Sequence, residues 1–377
     1  MLEYNYIIIL INTIKKRLQL VFKEISHEIF KLFYGQIDQI ESNSDKLEII
    51  NSIFDKETKY KIYLTKNSRI YTDTINNTAI IHKNKIIDGP SFQIKDAKFV
   101  ETKENVVLYK GTPRIKKKIR GTVFSLLTGG AGNFNYWHWL FDVLPRIKIL
   151  KNNYDLKKID YYLFPNLEKR FQTETLDILK IPIKNRLSSI KSRHIYSDQI
   201  ISTDHPYVVK NNPSHEIQNL PFWILDWLRS VFLIETDFKD NSYPKKIFID
   251  RSDATSNHSE LRKILNEKEI IEKLKIDGYK PIRLADMAFI EQVKTFFNAE
   301  KIIGLHGAGF ANLVFCRSNT KILEIKPSTD GKVIENLANN LNLNYKGLSK
   351  VPEKHNFNNQ LGHISINYQD LENIFNS

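Results

Sequence analysis

The sequence predicts an α/β protein in two parts, and three observations predict it. In the C-terminal half, β-prone runs take turns with helical ones: strand "KKIFID" at 245–250, helix near 259–275, strand "KPIRL", helix near 286–298, strand "KIIGL", a helix from about 309, and strand "KILEI" at 321–325. Strands separated by helices of that length pair in parallel, so a Rossmann-like domain is expected there. Ahead of it, residues 58–126 carry short β-prone runs such as "YKIYL", "TAIIH", "NVVLY" and "TVFSLL", punctuated by Asn, Gly and Lys. A chain of 377 residues is also longer than one hydrophobic core usually supports.

The first element is a helix. Leu18, Val21, Phe22, Ile25, Ile29, Leu32 and Phe33 recur at helical spacing with lysines between them. Such a helix fits packing on its own domain; an anionic membrane face is the other surface it suits. "YIIILI" within it is far shorter than the ~20 residues needed to span a bilayer. Glu3 precedes that run and Lys15, Lys16 and Arg17 follow it, the reverse of a secretory signal's charge order, so a cytoplasmic protein is expected. After the β-rich segment come a helix near 136–152, strand "YYLF" at 161–164 and a helix near 167–179. "HPYVVKNNPSHEIQNLP", 205–221, holds three prolines and reads as a connecting segment ahead of helix "PFWILDWLRSVFL". The expected division is therefore an N-terminal domain over 1–215, a C-terminal Rossmann-like domain over 216–350, and a tail, 351–377, packing back on the N-terminal domain.

Fifty-six basic against 43 acidic residues give a net charge of +13, which points to an anionic partner. The densest basic stretch, "YKGTPRIKKKIRG" at 109–121, lacks interleaved aromatic platforms and any recognition-helix pattern, so nucleic acid is excluded and a solvated basic loop is expected. Cys316 is the only cysteine, which rules out an internal disulfide and a cysteine-type zinc site and fits a reducing compartment.

Two stretches carry chemistry. In "GNFNYWHWLFDVLPR", 132–146, His138, Asp142 and Arg146 stand four residues apart and share one face of a helix whose other faces are apolar. Titratable groups on a buried helix are costly unless partnered or needed at a cleft, and spacing alone leaves both a structural network and a catalytic one open. In "EKIIGLHGAGFANLVF", 300–315, a strand runs into a helix through Gly304, Gly307 and Gly309. Glycines let backbone approach a ligand, and a helix N-terminus turns unpaired N–H groups outward, so a phosphate is the expected visitor. The order G-x-x-G-x-G departs from the dinucleotide fingerprint, and no P-loop pattern occurs; His306 adds a donor that an apolar residue would lack. Glu324, near the carboxyl edge of the next strand, is placed where open α/β sheets bind ligands.

In this order, "NYWHWLFDVLPR", "FIDR" with "LRKILNEKEI", "FIEQV", "IIGLHGAGFANLVF" and "ILEIKP" resemble glycosyltransferase family 61, whose bacterial members are often labelled capsular polysaccharide biosynthesis proteins. The resemblance runs from about Gly121 to Pro327. It implies a GT-B architecture, two Rossmann-like domains facing across a cleft, the acceptor-side N-terminal one carrying an added β-rich segment. It further implies inverting transfer from a nucleotide-sugar donor. Carried onto matching positions, His306, Gly307, Ala308 and Gly309 form the phosphate-binding turn with Asn312 supporting it. Arg251 faces the diphosphate and Arg262 contacts phosphate. Asn266, Glu269 and Gln292 are scaffold, and Glu324 holds the donor ribose.

Inverting transfer needs a base for the acceptor hydroxyl and positive charge for the departing diphosphate. No Asp-x-Asp pair occurs, so the expectation is metal-independent catalysis without a cofactor, the charge coming from Arg251, His306 and the helix N-terminus. His138 would be the base, with Asp142 fixing its tautomer; the swapped assignment, Asp142 as base, fits nearly as well. Arg146 would balance the carboxylate or hold an anionic acceptor, with Asn135 in the same network. The acceptor expected from the resemblance is a lipid-linked cell-surface glycan, with peripheral contact to the anionic inner membrane through the basic leading helix. The competing reading is a catalytically inactive nucleotide- or glycan-binding scaffold of the same fold.

Overall fold

The structure is a computed structural model that describes residues 2–42, 46–54, 58–72, 78–95, 97–127, 134–233, 240–252, 262–328, 331–353 and 362–376. Two compact units share the chain. One comprises residues 1–131, 149–165 and 185–204, the other 132–148, 166–184 and 205–377.

The first unit holds the helix Leu2–Tyr34 and strands β1 (Gln39–Glu41), β2 (Leu47–Ile53), β3 (Lys59–Thr72), β4 (Thr78–His82), β5 (Lys85–Ile87), β6 (Gln93–Lys95), β7 (Lys98–Val100), β8 (Lys117–Ser125), β9 (Tyr161–Phe164), β10 (Arg186–Ser188) and β11 (His194–Thr203). Nine of them form one mixed sheet in the order β1-β5-β4-β3-β11-β8-β9-β10, with β2 also paired to β3. The expected β-rich segment supplies β3 to β5 of this sheet and is continuous with the strands that follow it. The 14-residue β3 fuses the parts: one edge takes β2 and β4 in succession, and the other pairs antiparallel with β11, which runs parallel to β8. Ile70, Ile80, Val123, Leu163, Ile195 and Ile200 from both halves share one core. The run "NVVLY", expected as a strand, is instead a short helix, Val107–Lys110, because the Asn105 side chain accepts the Val107 N–H at 2.9 Å and turns the backbone. The second half of the basic stretch is strand β8 rather than loop.

The second unit is built on a five-stranded, all-parallel sheet of β12 (Lys246–Asp250), β13 (Lys280–Arg283), β14 (Lys301–Leu305), β15 (Lys321–Pro327) and β16 (Asn344–Lys350), in the order β13-β12-β14-β15-β16. The three central strands β12, β14 and β15 are near-continuous apolar runs, as strands covered on both faces should be, whereas the edge strands β13 and β16 are more polar and exposed. The chain reverses direction of travel across the sheet between β12 and β14, so the crevice outside the carboxyl ends of those two strands is the topological switch point, where such sheets bind ligands. Helices Glu267–Ile276, Phe289–Asn298 and Val333–Asn340 cross between strands. The start of the helix expected near 259–275 lies partly outside the described residues. The described end of the tail packs within this unit: Ile364, Ile366 and Leu371 join Phe248, Leu274, Leu323 and Leu348 in the core of this sheet. The Asn266 amide donates to the Ile366 carbonyl at 2.8 Å and helps pin it there.

Candidate active site

Arg251 follows β12 directly, and His306, Gly307, Ala308 and Gly309 follow β14, so the switch point carries both. The turn feeds a 3₁₀ helix, Ala308–Phe315, rather than the expected α-helix; Phe310 N–H donates to the Gly307 carbonyl at 3.1 Å. Eight residues is long for this tighter coil. Its glycines are there for close approach. A Cβ on Gly307 would stand 3.1 Å from Arg251 Cζ, one on Gly309 2.8 Å from Leu284 Cδ1, and one on Gly304 3.1 Å from both Ile249 Cβ and Phe310 Cζ. Arg251 Nη1 donates to the His306 carbonyl at 2.7 Å and Arg262 Nη1 to the same oxygen at 3.3 Å, which sets two guanidinium groups against the turn.

A cleft of about 270 Å³ opens here. Its polar lining comprises Asn135, Lys169, Arg170, Asp250, Arg251, Gln292 and the backbone of Gly307 to Gly309; Phe134, Ile249, Leu284, Met287 and Phe310 are among its apolar walls. Asn135 both lines it and caps the next helix by accepting the Trp137 N–H at 3.0 Å. Tyr136, also on the wall, donates its hydroxyl to Asn312 Oδ1 at 2.7 Å, and Asn312 Nδ2 donates to Gln292 Oε1 at 3.1 Å. Asn312 is therefore the supporting residue expected, though it acts by tying the turn to Tyr136 and Gln292.

The stretch after Asn135 is helical in three pieces: Tyr136–His138, a π turn Trp139–Val143, and Pro145–Lys151. Trp139, Leu140, Phe141, Val143 and Leu144 are wholly buried, as the all-round apolar pattern predicts. His138 Nδ1 donates to Asp142 Oδ2 at 2.8 Å, which leaves Nε2 as the nitrogen with a free lone pair. Asp142 is 1% exposed, whereas 27% of the His138 side chain reaches solvent. A second imidazole, His205, stands on the same carboxylate oxygen at 3.5 Å. Its Nδ1 accepts the backbone N–H groups of Tyr207 and Val208 at 3.3 and 3.1 Å, so Nε2 carries the proton and faces Asp142. Burial, and after it the Asp142 carboxylate, push the Tyr207 hydroxyl pKa well up.

The electrostatics separate these groups. Burial alone would raise the Asp142 pKa, but the charge and hydrogen bond of His138, joined by those of His205, hold it well below the usual carboxylate range. For His138, burial lowers the pKa and Asp142 more than reverses this, leaving it raised above 6.5. Burial lowers that of His205, aided by the nearby Arg146 charge, so this ring stays neutral. Arg146 is buried at 1% exposure, and its charge bears on His205.

The third cluster lies behind the turn. His306 Nδ1 is hydrogen-bonded to Glu324, Tyr345 donates its hydroxyl to the other carboxylate oxygen at 2.5 Å, and Lys326 Nζ stands 3.6 Å from it. Glu324 is 0% exposed and 16% of the His306 side chain is exposed. The glutamate expected at the ribose thus faces His306, and burial together with Glu324 raises the Tyr345 pKa. Of the expected residues, Asn135, Arg251, Gly307, Ala308 and Gly309 line the cleft, with Arg262 and Asn312 holding its turn from behind. His138 and Asp142 lie on the helix that begins at the cleft wall. Sequence reading missed His205, Tyr207, Tyr136, Lys169, Arg170 and Tyr345; only Tyr136, inside the motif, carried a readable signal.

Residues 136–323, about half of the chain, match the family model described as Glycosyltransferase 61. Among curated proteins, the chain is similar to the EGF domain-specific O-linked N-acetylglucosamine transferase of Rattus norvegicus, 31% identical over 85 residues, which is 21% of this chain and 16% of that protein. The Mus musculus counterpart is 29% identical over 92 residues, 23% of this chain and 18% of that one. The matched stretches therefore span less than a fifth of these relatives. The segment that supplies the glycine turn, Arg251 and the His138–Asp142 pair has the sequence of a glycosyltransferase of family 61.

Proposed function

We propose that the protein moves a hexosyl or pentosyl group from a nucleotide-sugar donor to a glycan acceptor with inversion, without a metal ion, and in a GT-B-type arrangement. One observation supports this above the others: the lining of the switch-point cleft is net cationic, with Arg251 locked on the glycine turn and Lys169 and the Glu174-paired Arg170 beside it against a single carboxylate, Asp250. The donor diphosphate lies against Gly307 to Gly309 and Arg251. The acceptor hydroxyl oxygen bonds to the anomeric carbon as that carbon's bond to phosphate breaks. The hydroxyl proton passes to His138 Nε2, and the electron pair leaves with the diphosphate, whose charge Arg251 and the turn N–H groups offset. Asp142, buried and held ionised, orients the imidazole and stabilises it once protonated. The acceptor is a lipid-linked intermediate of a cell-surface polysaccharide of capsular type, assembled at the cytoplasmic face of the membrane.

Calorimetric titration with a panel of nucleoside diphosphates tests the donor half. At least one binds the parent protein, and Gly307→Ala weakens it by about tenfold, because the new methyl displaces the Arg251 guanidinium and loosens its 2.7 Å bond to His306. Equal affinity in parent and variant removes the turn as the diphosphate site.

The pH dependence tests the base. Protonated His138 cannot accept a proton, and its pKa is raised above 6.5, so kcat/KM is lost as pH falls through a value higher than 6.5. Asp142→Asn removes both raising contributions and leaves the lowering effect of burial, so the acid limb moves to lower pH while kcat drops. An acid limb that stays in place in that variant detaches the profile from this pair.

A further inference from the structure

The leading helix, Leu2–Tyr34, is 33 residues long, roughly 50 Å at 1.5 Å per residue. Only its C-terminal end is tied down, with Phe30 stacked on Tyr34 and Tyr34 packed edge-on against His194; the rest of its described apolar side chains do not enter a core. Ile14, Leu18, Val21, Phe22, Ile25, Ile29, Leu32 and Phe33 are all exposed, Phe22 at 73% and Leu32 at 87%. At about 100° per residue they fall in one band roughly 120° wide. The expectation of packing on its own domain is therefore not met along this face. Soluble proteins rarely leave so long an apolar row uncovered.

Charge and width identify the cover. Lys15, exposed, falls on one border of the band; on the other, exposed Arg17 stands beside Glu28, which Lys31 pairs at 3.8 Å, and the helix as a whole carries Lys15, Lys16, Arg17, Lys23 and Lys31 against Glu3, Glu24 and Glu28. Ile14, Lys15, Leu18, Gln19 and Phe22 line a shallow depression on it. A two-stranded coiled coil would use a narrower seam, such as Leu18, Phe22, Ile25, Ile29 and Leu32, and would leave Ile14, Val21 and Phe33 uncovered beside it. No helix among the described residues is long and apolar enough to cross a membrane. We infer that the leading helix lies along an anionic phospholipid surface, its Phe- and Leu-bearing band in the acyl boundary and its border cations on the headgroup phosphates. The inference does not depend on glycosyl transfer, and its test needs no turnover.

The full chain is floated with vesicles of phosphatidylglycerol and phosphatidylcholine, and separately with phosphatidylcholine alone. It rises with the anionic vesicles, less so at high salt, and stays behind with the neutral ones. Lys15→Glu/Arg17→Glu lowers the partition coefficient by at least about tenfold, since two attractive charges become repulsive. Leu18→Glu/Phe22→Glu abolishes flotation with an unchanged melting temperature, because both positions are exposed already. Equal flotation with neutral vesicles, or none with either, overturns the inference. So does a parent chain that sediments as a dimer without binding vesicles and becomes monomeric in the Leu18→Glu/Phe22→Glu variant, which makes the band a contact between two copies.

Discussion

His138→Ala lowers kcat by about 10²- to 10⁴-fold, the usual contribution of a positioned general base, and leaves nucleoside diphosphate affinity where it was. The second half follows from geometry: His138 is outside the lining of the cleft that holds Arg251 and the glycine turn, so donor contacts survive its removal. The structure also separates it from Asp142. The carboxylate is buried at 1% exposure, hydrogen-bonded to His138 and faced by His205 at 3.5 Å, which hold it ionised but weakly basic; the His138 imidazole is partly exposed and made more basic. Steady-state rates of His138→Ala, Asp142→Asn and His205→Gln, with donor titrations alongside, decide the matter. With His138 as base, the first variant loses most activity, and the third changes the pH profile more than the affinity. With Asp142 as base, Asp142→Asn is the inactive protein and His138→Ala retains near-normal turnover.

How far the site could be read in advance depended on sequence distance. The His138–Asp142 pair was legible because both sit on one local element, where four-residue spacing survives even the π turn that replaces a regular helix. His205 was not, since it reaches Asp142 from a proline-rich segment that carries no periodicity and reads as a connector. The parallel sheet was legible from strand and helix alternation, because each unit of it is short-range. The nine-stranded sheet was not, because β3 meets β11 and β8 joins them only through pairings distant in sequence. The 3₁₀ form of Ala308–Phe315 likewise depends on packing, with Phe310, Leu313 and Phe315 all buried in so short a coil. The leading helix was legible as amphipathic, but which surface covers its apolar band is set by everything around it rather than by its own sequence.

Glu324→Ala is expected to destabilise the parallel-sheet unit by about 3–5 kcal/mol, the usual cost of removing one partner from a buried charged network. Glu324 is 0% exposed, is hydrogen-bonded to His306 and Tyr345 and ion-paired with Lys326, so its loss leaves an imidazole and a phenol without that acceptor and a buried ammonium with only the Gly331 carbonyl. In a scanning calorimeter this is a fall in melting temperature on the order of 10 °C. Glu324→Gln keeps the side chain's shape and one acceptor oxygen, and falls less. The two variants also decide what the residue does. A glutamate that only received ribose hydroxyls would cost donor affinity on removal and leave the melting temperature in place. The observed contacts give the opposite order. Stability falls first, and donor affinity declines as a consequence, because an unpaired His306 no longer fixes the turn whose backbone oxygen anchors Arg251 and Arg262. Unchanged melting in Glu324→Ala, with donor binding lost, returns the residue to the ribose.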